Sequence, residues 1–178
     1  MTIQIALQDN YILPITLKPI CLDLGAGHSS VHLDSYHVLS VDARVDYHPD
    51  ILCDLRKIPL SDESVSAIYS SHTLEHFCFS EIHDVFTEWL RILKIGGDIT
   101  LRLPDITYAA KLIMNGQYDN IAQAVLWGQQ DYPLNFHKMG FTPKFLASFL
   151  KQFPVTGKIT TPIEYVHDIL FSGAKTNG

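Results

Sequence analysis

Apolar residues along the chain fall into short runs and two periodicities, and these set the expected elements. From Thr2 to Leu17 they alternate, first Ile3, Ile5 and Leu7, then Leu13, Ile15 and Leu17, around a central Gln8-Asp9-Asn10. Alternation on both sides of turn-forming residues predicts a β-hairpin. Five short apolar runs follow: Ile20 to Leu24, His37 to Asp42, Ile51 to Cys53, Val65 to Ser70 and Ile99 to Leu103. Strands buried on both faces of a parallel sheet read this way. Between the fourth and fifth runs, Ile82, Val85, Phe86, Trp89, Leu90 and Leu93 recur at three- and four-residue steps, the stripe of an amphipathic helix. Ser80 suits its N-cap, Glu81 the positive end of its dipole, and Lys94 with Gly96 its stop.

After Pro104 the pattern turns helical over Ile106 to Met114 and Ile121 to Trp127, then gives way to an aromatic-rich loop. Thr142-Pro143 opens a last helix, with proline in the first turn where its missing N–H costs nothing, and Phe145, Leu146, Phe149 and Leu150 form its buried face. Val155 to Thr161 and His167 to Ser172 are close enough to pair as antiparallel strands. The pattern therefore predicts one α/β domain over residues 19–178, a mostly parallel sheet ending in an antiparallel hairpin, preceded by an N-terminal hairpin over residues 1–18.

Composition narrows the function. Of 178 residues, 47% are hydrophobic and 18% charged, enough to bury one core and little more. The net charge is −6 and the basic residues are scattered singly, so no basic stripe is present to meet a phosphate backbone, and nucleic acid is not an expected partner. No signal peptide or membrane-spanning run is seen, and the expectation is a soluble, cytoplasmic protein with no membrane partner. Cys21, Cys53 and Cys78 stand apart with no C-x-x-C pair, which argues against a thiol zinc site or a disulfide scaffold.

The chemistry is expected at the strand ends. The first strand runs into Gly25-Ala26-Gly27, and glycine lets backbone N–H groups approach a ligand closely. The second strand ends on Asp42, followed by Ala43, and a carboxylate there can accept two hydrogen bonds from a ribose diol. Asp54 follows the third strand, and the fourth ends at Ser70-Ser71-His72. Buried strands have no packing use for terminal carboxylates, so a glycine turn and two acids at successive strand ends are more informative together than singly.

These residues carry a family resemblance. Leu22-Asp23-Leu24-Gly25-Ala26-Gly27, Val41-Asp42, Asp54-Leu55-Arg56, Ser71-His72-Thr73-Leu74-Glu75-His76 and Leu93-Lys94-Ile95-Gly96-Gly97 together resemble class I S-adenosylmethionine (SAM)-dependent methyltransferases, nearest to the methyltransferase type 11-like group. The resemblance covers about Ile20 to Asp105, with a weaker echo at Phe136-His137-x-x-Gly140. It implies a Rossmann-like seven-stranded sheet of order 3-2-1-4-5-7-6 with strand 7 antiparallel. It also implies SAM as cofactor: Asp23, Gly25, Ala26 and Gly27 beside the amino-acid part, Asp42 and Ala43 at the ribose, Asp54 and the Leu55 N–H at the adenine, and Ser71 and His72 lining the same cleft. The acceptor it implies is a small molecule or a glycan-type metabolite.

Two departures accompany it. The third glycine of Gly-x-Gly-x-Gly is Ser29, and only Gly25 to Tyr36 separates the first two strands, too short for a full crossover helix. A shortened first crossover removes the packing demand on that glycine and a helix dipole from the cofactor carboxylate. A SAM-binding partner protein without turnover is the alternative. An NAD-linked dehydrogenase is disfavoured because G-x-G-x-x-G is absent, Ser30 holding its last position. His76, past the fourth strand, and His137, in the aromatic loop, are the candidate catalytic bases. His72-Thr73-Leu74-Glu75-His76 also spells the H-x-x-E-H of inverted zinc proteases. That site needs both histidines on one helix, whereas this stretch directly follows a strand, and no metal is expected. The exposed edge of the N-terminal hairpin would allow a homodimer.

Overall fold

A computed structural model describes residues 11–28 and 30–178. Seven strands form one sheet: β1 (Ile20–Leu24), β2 (His37–Asp42), β3 (Ile51–Leu52), β4 (Val65–Ser71), β5 (Leu93–Pro104), β6 (Val155–Thr160) and β7 (Asp168–Lys175), in the order β3-β2-β1-β4-β5-β7-β6. Strands β1 to β5 pair in parallel, and β7 runs antiparallel to both β5 and β6. Order and directions are those the resemblance implies. Because β1 lies between β2 and β4, the chain leaves β1 on opposite sides, and ligand clefts form outside the carboxyl ends of strands at such a reversal.

Four helices flank the sheet: α1 (Ile82–Ile92), α2 (Ile106–Met114), α3 (Asn120–Trp127) and α4 (Pro143–Leu150). The α1 stripe is buried at Ile82, Val85, Phe86, Trp89 and Leu90, each large side chain contributing about 1.5–3 kcal/mol by leaving water. Its start differs from the expected Ser80 cap. Glu81 occupies the cap position, and its carboxylate accepts the Cys78 N–H at 2.9 Å. At the other end the backbone passes directly from Ile92 into β5, with a register shift opposite Val65 to Ala67 where Gly96 and Gly97 lie. At the other helix starts Asp105, Asp119 and Thr142 each accept a backbone N–H from the first turn of α2, α3 and α4, Thr142 being the one expected from the sequence.

Helices α2 and α3 pack on each other through Ala109, Ala122 and Val125, a small cluster apart from the main core. Among the described residues no helix joins β1 to β2; residues 25–28 and 30–36 cross without one, as the short spacing predicts. The hairpin expected over Thr2 to Leu17 lies partly outside the described residues, and its described half, from Tyr11, forms no strand. Tyr11 donates its N–H to the Pro59 carbonyl, and Tyr11 and Leu13 rest against the core, while Ile12, Ile15 and Leu17 face outward. Of the alternating residues Leu13, Ile15 and Leu17, only Leu13 meets the core. No helix among the described residues is long and apolar enough to cross a membrane.

Candidate active site

At the carboxyl ends of β1 to β4 lies a cavity lined by Gly25, Asp42, Ala43, Asp54, Leu55, His72 and His76, together with Arg44, Thr73, Phe77, Tyr132 and Lys138. Seven of the twelve residues expected from the sequence therefore meet around one space. Gly25 forms the tight turn after β1 with φ +76°, and a Cβ there would sit 2.3 Å from the Thr73 Oγ1. Thr73 in turn donates its hydroxyl to the Leu24 carbonyl at 2.9 Å, locking the β1 and β4 ends together. Gly27 has φ +61° and open space around it, so glycine is needed there for conformation alone.

Asp42 is buried at the end of β2. Its Oδ2 accepts the Gly27 N–H at 3.0 Å and its Oδ1 the Arg44 N–H at 2.8 Å. Each carboxylate oxygen has a second lone pair, so the acid can fasten the glycine turn and still accept from a diol. Asp54 accepts the Arg56 N–H at 2.9 Å and pairs with its guanidinium, and the Leu55 carbonyl receives the Trp89 Nε1 at 3.1 Å. Helix α1 thus fixes the apolar floor through its largest residue.

Asp23, Ala26 and Ser71 line a second hollow that adjoins the first at Gly25. Asp23 is spent on the shortened crossover: its Oδ2 accepts the Ser30 hydroxyl at 3.0 Å and the Val31 N–H at 2.7 Å. Burial pushes its carboxyl above the ordinary value, and those two bonds partly offset the effect.

His72 has φ +53°, and its ring stands between two buried carboxylates, Nε2 3.3 Å from Asp168 and Nδ1 3.6 Å from Glu75. Burial disfavours the imidazolium, but the two acids outweigh it and raise the group to about 9. Asp168, buried at the start of β7, is held below the ordinary carboxylate value despite burial, because His72 and Arg102 both donate to it.

His76 and His137 are brought together from distant segments, ring centroids 5.1 Å apart. The 128–141 loop is pinned there by the Lys138 and Met139 N–H groups, both donated to the Glu75 carbonyl. His76 reaches the cavity. His137 does not: its side chain is 8% exposed, behind His76, and burial lowers its pKa against the raising effect of Glu75. The sequence places His137 at the cleft mouth because the loop covers the strand ends; the backbone bonds turn its ring inward instead.

Arg44 escapes a sequence reading, whereas Tyr132 belongs to the aromatic-rich loop that the sequence places over the strand ends. The Arg44 guanidinium lies between the rings of Tyr47, at 4.1 Å, and Tyr132, at 3.9 Å, and so ties the end of β2 to the loop after α3. An isolated arginine after a strand-end acid carries no signal of a partner so far along the chain.

Residues 21–101 match a family model described as a methyltransferase domain. Several solved structures share the fold. The PH0226 protein of Pyrococcus horikoshii aligns over 89% of this chain and 82% of its own with a TM-score of 0.64 at 16% identity. A SAM-dependent methyltransferase from Aquifex aeolicus aligns over 90% and 85% with a TM-score of 0.58 at 15% identity. The 1,6-didemethyltoxoflavin-N1-methyltransferase of Burkholderia thailandensis, solved with its substrate and S-adenosylhomocysteine, aligns over 90% and 72% with a TM-score of 0.57 at 15% identity. No curated protein matches the sequence.

Proposed function

We propose that the chain is a class I SAM-dependent methyltransferase that takes SAM as its cofactor and methylates a small-molecule or glycan-type acceptor in the cavity at the ends of β1 to β4, a reading supported by the methyltransferase-domain match and the shared fold. The observation that carries this reading is the convergence of Gly25, Asp42, Ala43, Asp54 and Leu55 on that one cavity. The lining fits the cofactor's chemistry. Asp42 suits the ribose diol, Leu55 and Phe77 offer apolar surface to the adenine beside the Asp54 carboxylate, and the Gly25 turn leaves room for the amino-acid part, with Asp23, Ala26, Gly27 and Ser71 around it.

Bound SAM supplies an electrophilic methyl on a sulfonium, so the protein's work is to orient, exclude water and take up a proton where the acceptor loses one. His76 is the group placed for the last step. Its Nδ1 lies 3.0 Å from the Phe136 carbonyl, which fixes the proton there and leaves Nε2 as acceptor. His137 acts through His76 as a positioning residue. His72, charged between its two acids, orients the β4 end and takes no proton. A small acceptor is favoured because the toxoflavin enzyme with the same fold acts on one. The three cysteines are unpaired, in keeping with a cytoplasmic location. Exposed Ile12, Ile15 and Leu17 suit self-association into a homodimer, which mass in solution tests directly.

The test is release of S-adenosylhomocysteine with a panel of hydroxylated and aminated metabolites. His76→Gln is expected to lower turnover about 10²- to 10⁴-fold with SAM affinity kept. The loop in place of a first crossover helix favours one second reading, a SAM-binding partner protein, and absence of turnover with every acceptor would select it.

A further inference from the structure

We propose that Glu75, His76 and His137 form a binding site for a divalent transition metal of the zinc class, at the edge of the cofactor cavity. One ligand atom from each of the three lies within 4.8 Å of the others. Two imidazoles and a carboxylate are the donor set of open zinc sites, which leave the fourth position to water or substrate.

Three observations point to a cation. The Glu75 side chain is 0% exposed, and neither carboxylate oxygen has a hydrogen-bond partner. Buried carboxylates are rarely left so, because nothing replaces their hydration. The His72 imidazolium stands 3.6 Å from Oε1, an ion pair too long for a hydrogen bond, with its other nitrogen turned to Asp168, so acceptor positions of the Glu75 carboxylate stay unfilled. Second, His76 Nδ1 lies 3.0 Å from the Phe136 carbonyl and His137 Nδ1 3.0 Å from the Val125 carbonyl. A carbonyl only accepts, so both Nδ1 atoms carry the proton and both Nε2 atoms keep a lone pair. Carbonyls in this role orient metal-bound imidazoles from the outer shell. Third, His137 Nε2 is 3.8 Å from Glu75 Oε1. Bonds of about 2.0–2.2 Å in tetrahedral geometry separate ligand atoms by about 3.3–3.6 Å, so an ion would draw this pair together slightly and the widest pair, within 4.8 Å, by about an ångström.

The H-x-x-E-H spacing suggests His72 and His76 as the metal pair. In the fold, Leu74 to His76 form a single 3₁₀ turn, His72 is diverted to Asp168, and the second imidazole comes from His137. His76 also lines the cavity, so the open position is near the proposed acceptor. The site is built from these three residues alone; it takes the His76 Nε2 lone pair, so an occupied metal site and His76 as the proton acceptor exclude each other.

Chelator-stripped protein is titrated with Zn²⁺ by calorimetry and with Co²⁺ by visible absorption, and SAM affinity on the same samples reports folding. One equivalent of Zn²⁺ with Kd below about 1 μM is expected, with tetrahedral Co²⁺ bands. Glu75→Gln and His137→Gln are expected to weaken Zn²⁺ by more than about 100-fold, beyond outer-shell effects, while SAM still binds. If Glu75→Gln fails to fold, His76→Gln carries the same expectation at an accessible position. Folded wild-type protein that binds SAM and takes up no Zn²⁺ would overturn the proposal. Unchanged uptake in the variants would overturn it too, since the metal would then sit on other histidines.

Discussion

Gly25 and Arg44 show at the scale of single residues how the cavity is held open and covered. Gly25→Ala forces a Cβ into Thr73 at a φ of +76°, and strained positions of this kind cost about 1–3 kcal/mol. A fall of that size in urea stability, with SAM binding impaired, is expected; a variant as stable as wild type would show the turn to be unconstrained. Arg44→Ala removes the guanidinium from between Tyr47 and Tyr132, an interaction of about 0.5–2 kcal/mol. Amide exchange in the 128–138 loop is expected to rise several-fold, and unchanged protection would show that α2, α3 and Glu75 hold the loop unaided. The acids were legible in the sequence because a carboxylate at a strand end has no packing use. Glu75 was visible as a letter in a motif, but its burial without a donor depends on a loop that arrives from beyond α3.

Helix α1 is the element on which the Leu55 side of the cavity rests. Trp89 is fully buried and donates to the Leu55 carbonyl, so Trp89→Ala is expected to cost about 3–5 kcal/mol. Denaturant titration checks this, and a loss below about 1 kcal/mol would contradict the packing. Elements with a full apolar stripe or a buried run were readable, and β1, β2 and α2 have the limits their patterns predict. The N-terminal alternation was a poor guide over its described half, since Leu13 alone of its apolar residues touches the core while Ile15 and Leu17 are exposed. The early start of β5 was equally hidden, since Lys94 to Gly97 read as a helix stop, whereas Leu93 already pairs with Val65 of β4 and these four residues bulge before pairing resumes at Asp98.

Across the whole molecule, the reversal of strand order at β1 gathers residues from four strand ends into one cavity, while none of residues 11–18 lines it. Removing residues 1–18 is therefore expected to lower Tm by several degrees, since Tyr11 and Leu13 rest on the core. SAM affinity should stay within about twofold. A large loss of affinity would place the N-terminal segment in the site. The central claim, that SAM occupies the cavity with its ribose on Asp42, is tested most directly by calorimetry of SAM with wild type and Asp42→Ala. Wild type is expected to bind one equivalent. The variant is expected to bind about 10- to 100-fold more weakly, from the loss of charge-assisted bonds of about 1.5–3 kcal/mol. It should also be somewhat less stable, because Gly27 and Arg44 lose their acceptor. Equal affinity in a folded Asp42→Ala variant would contradict the claim.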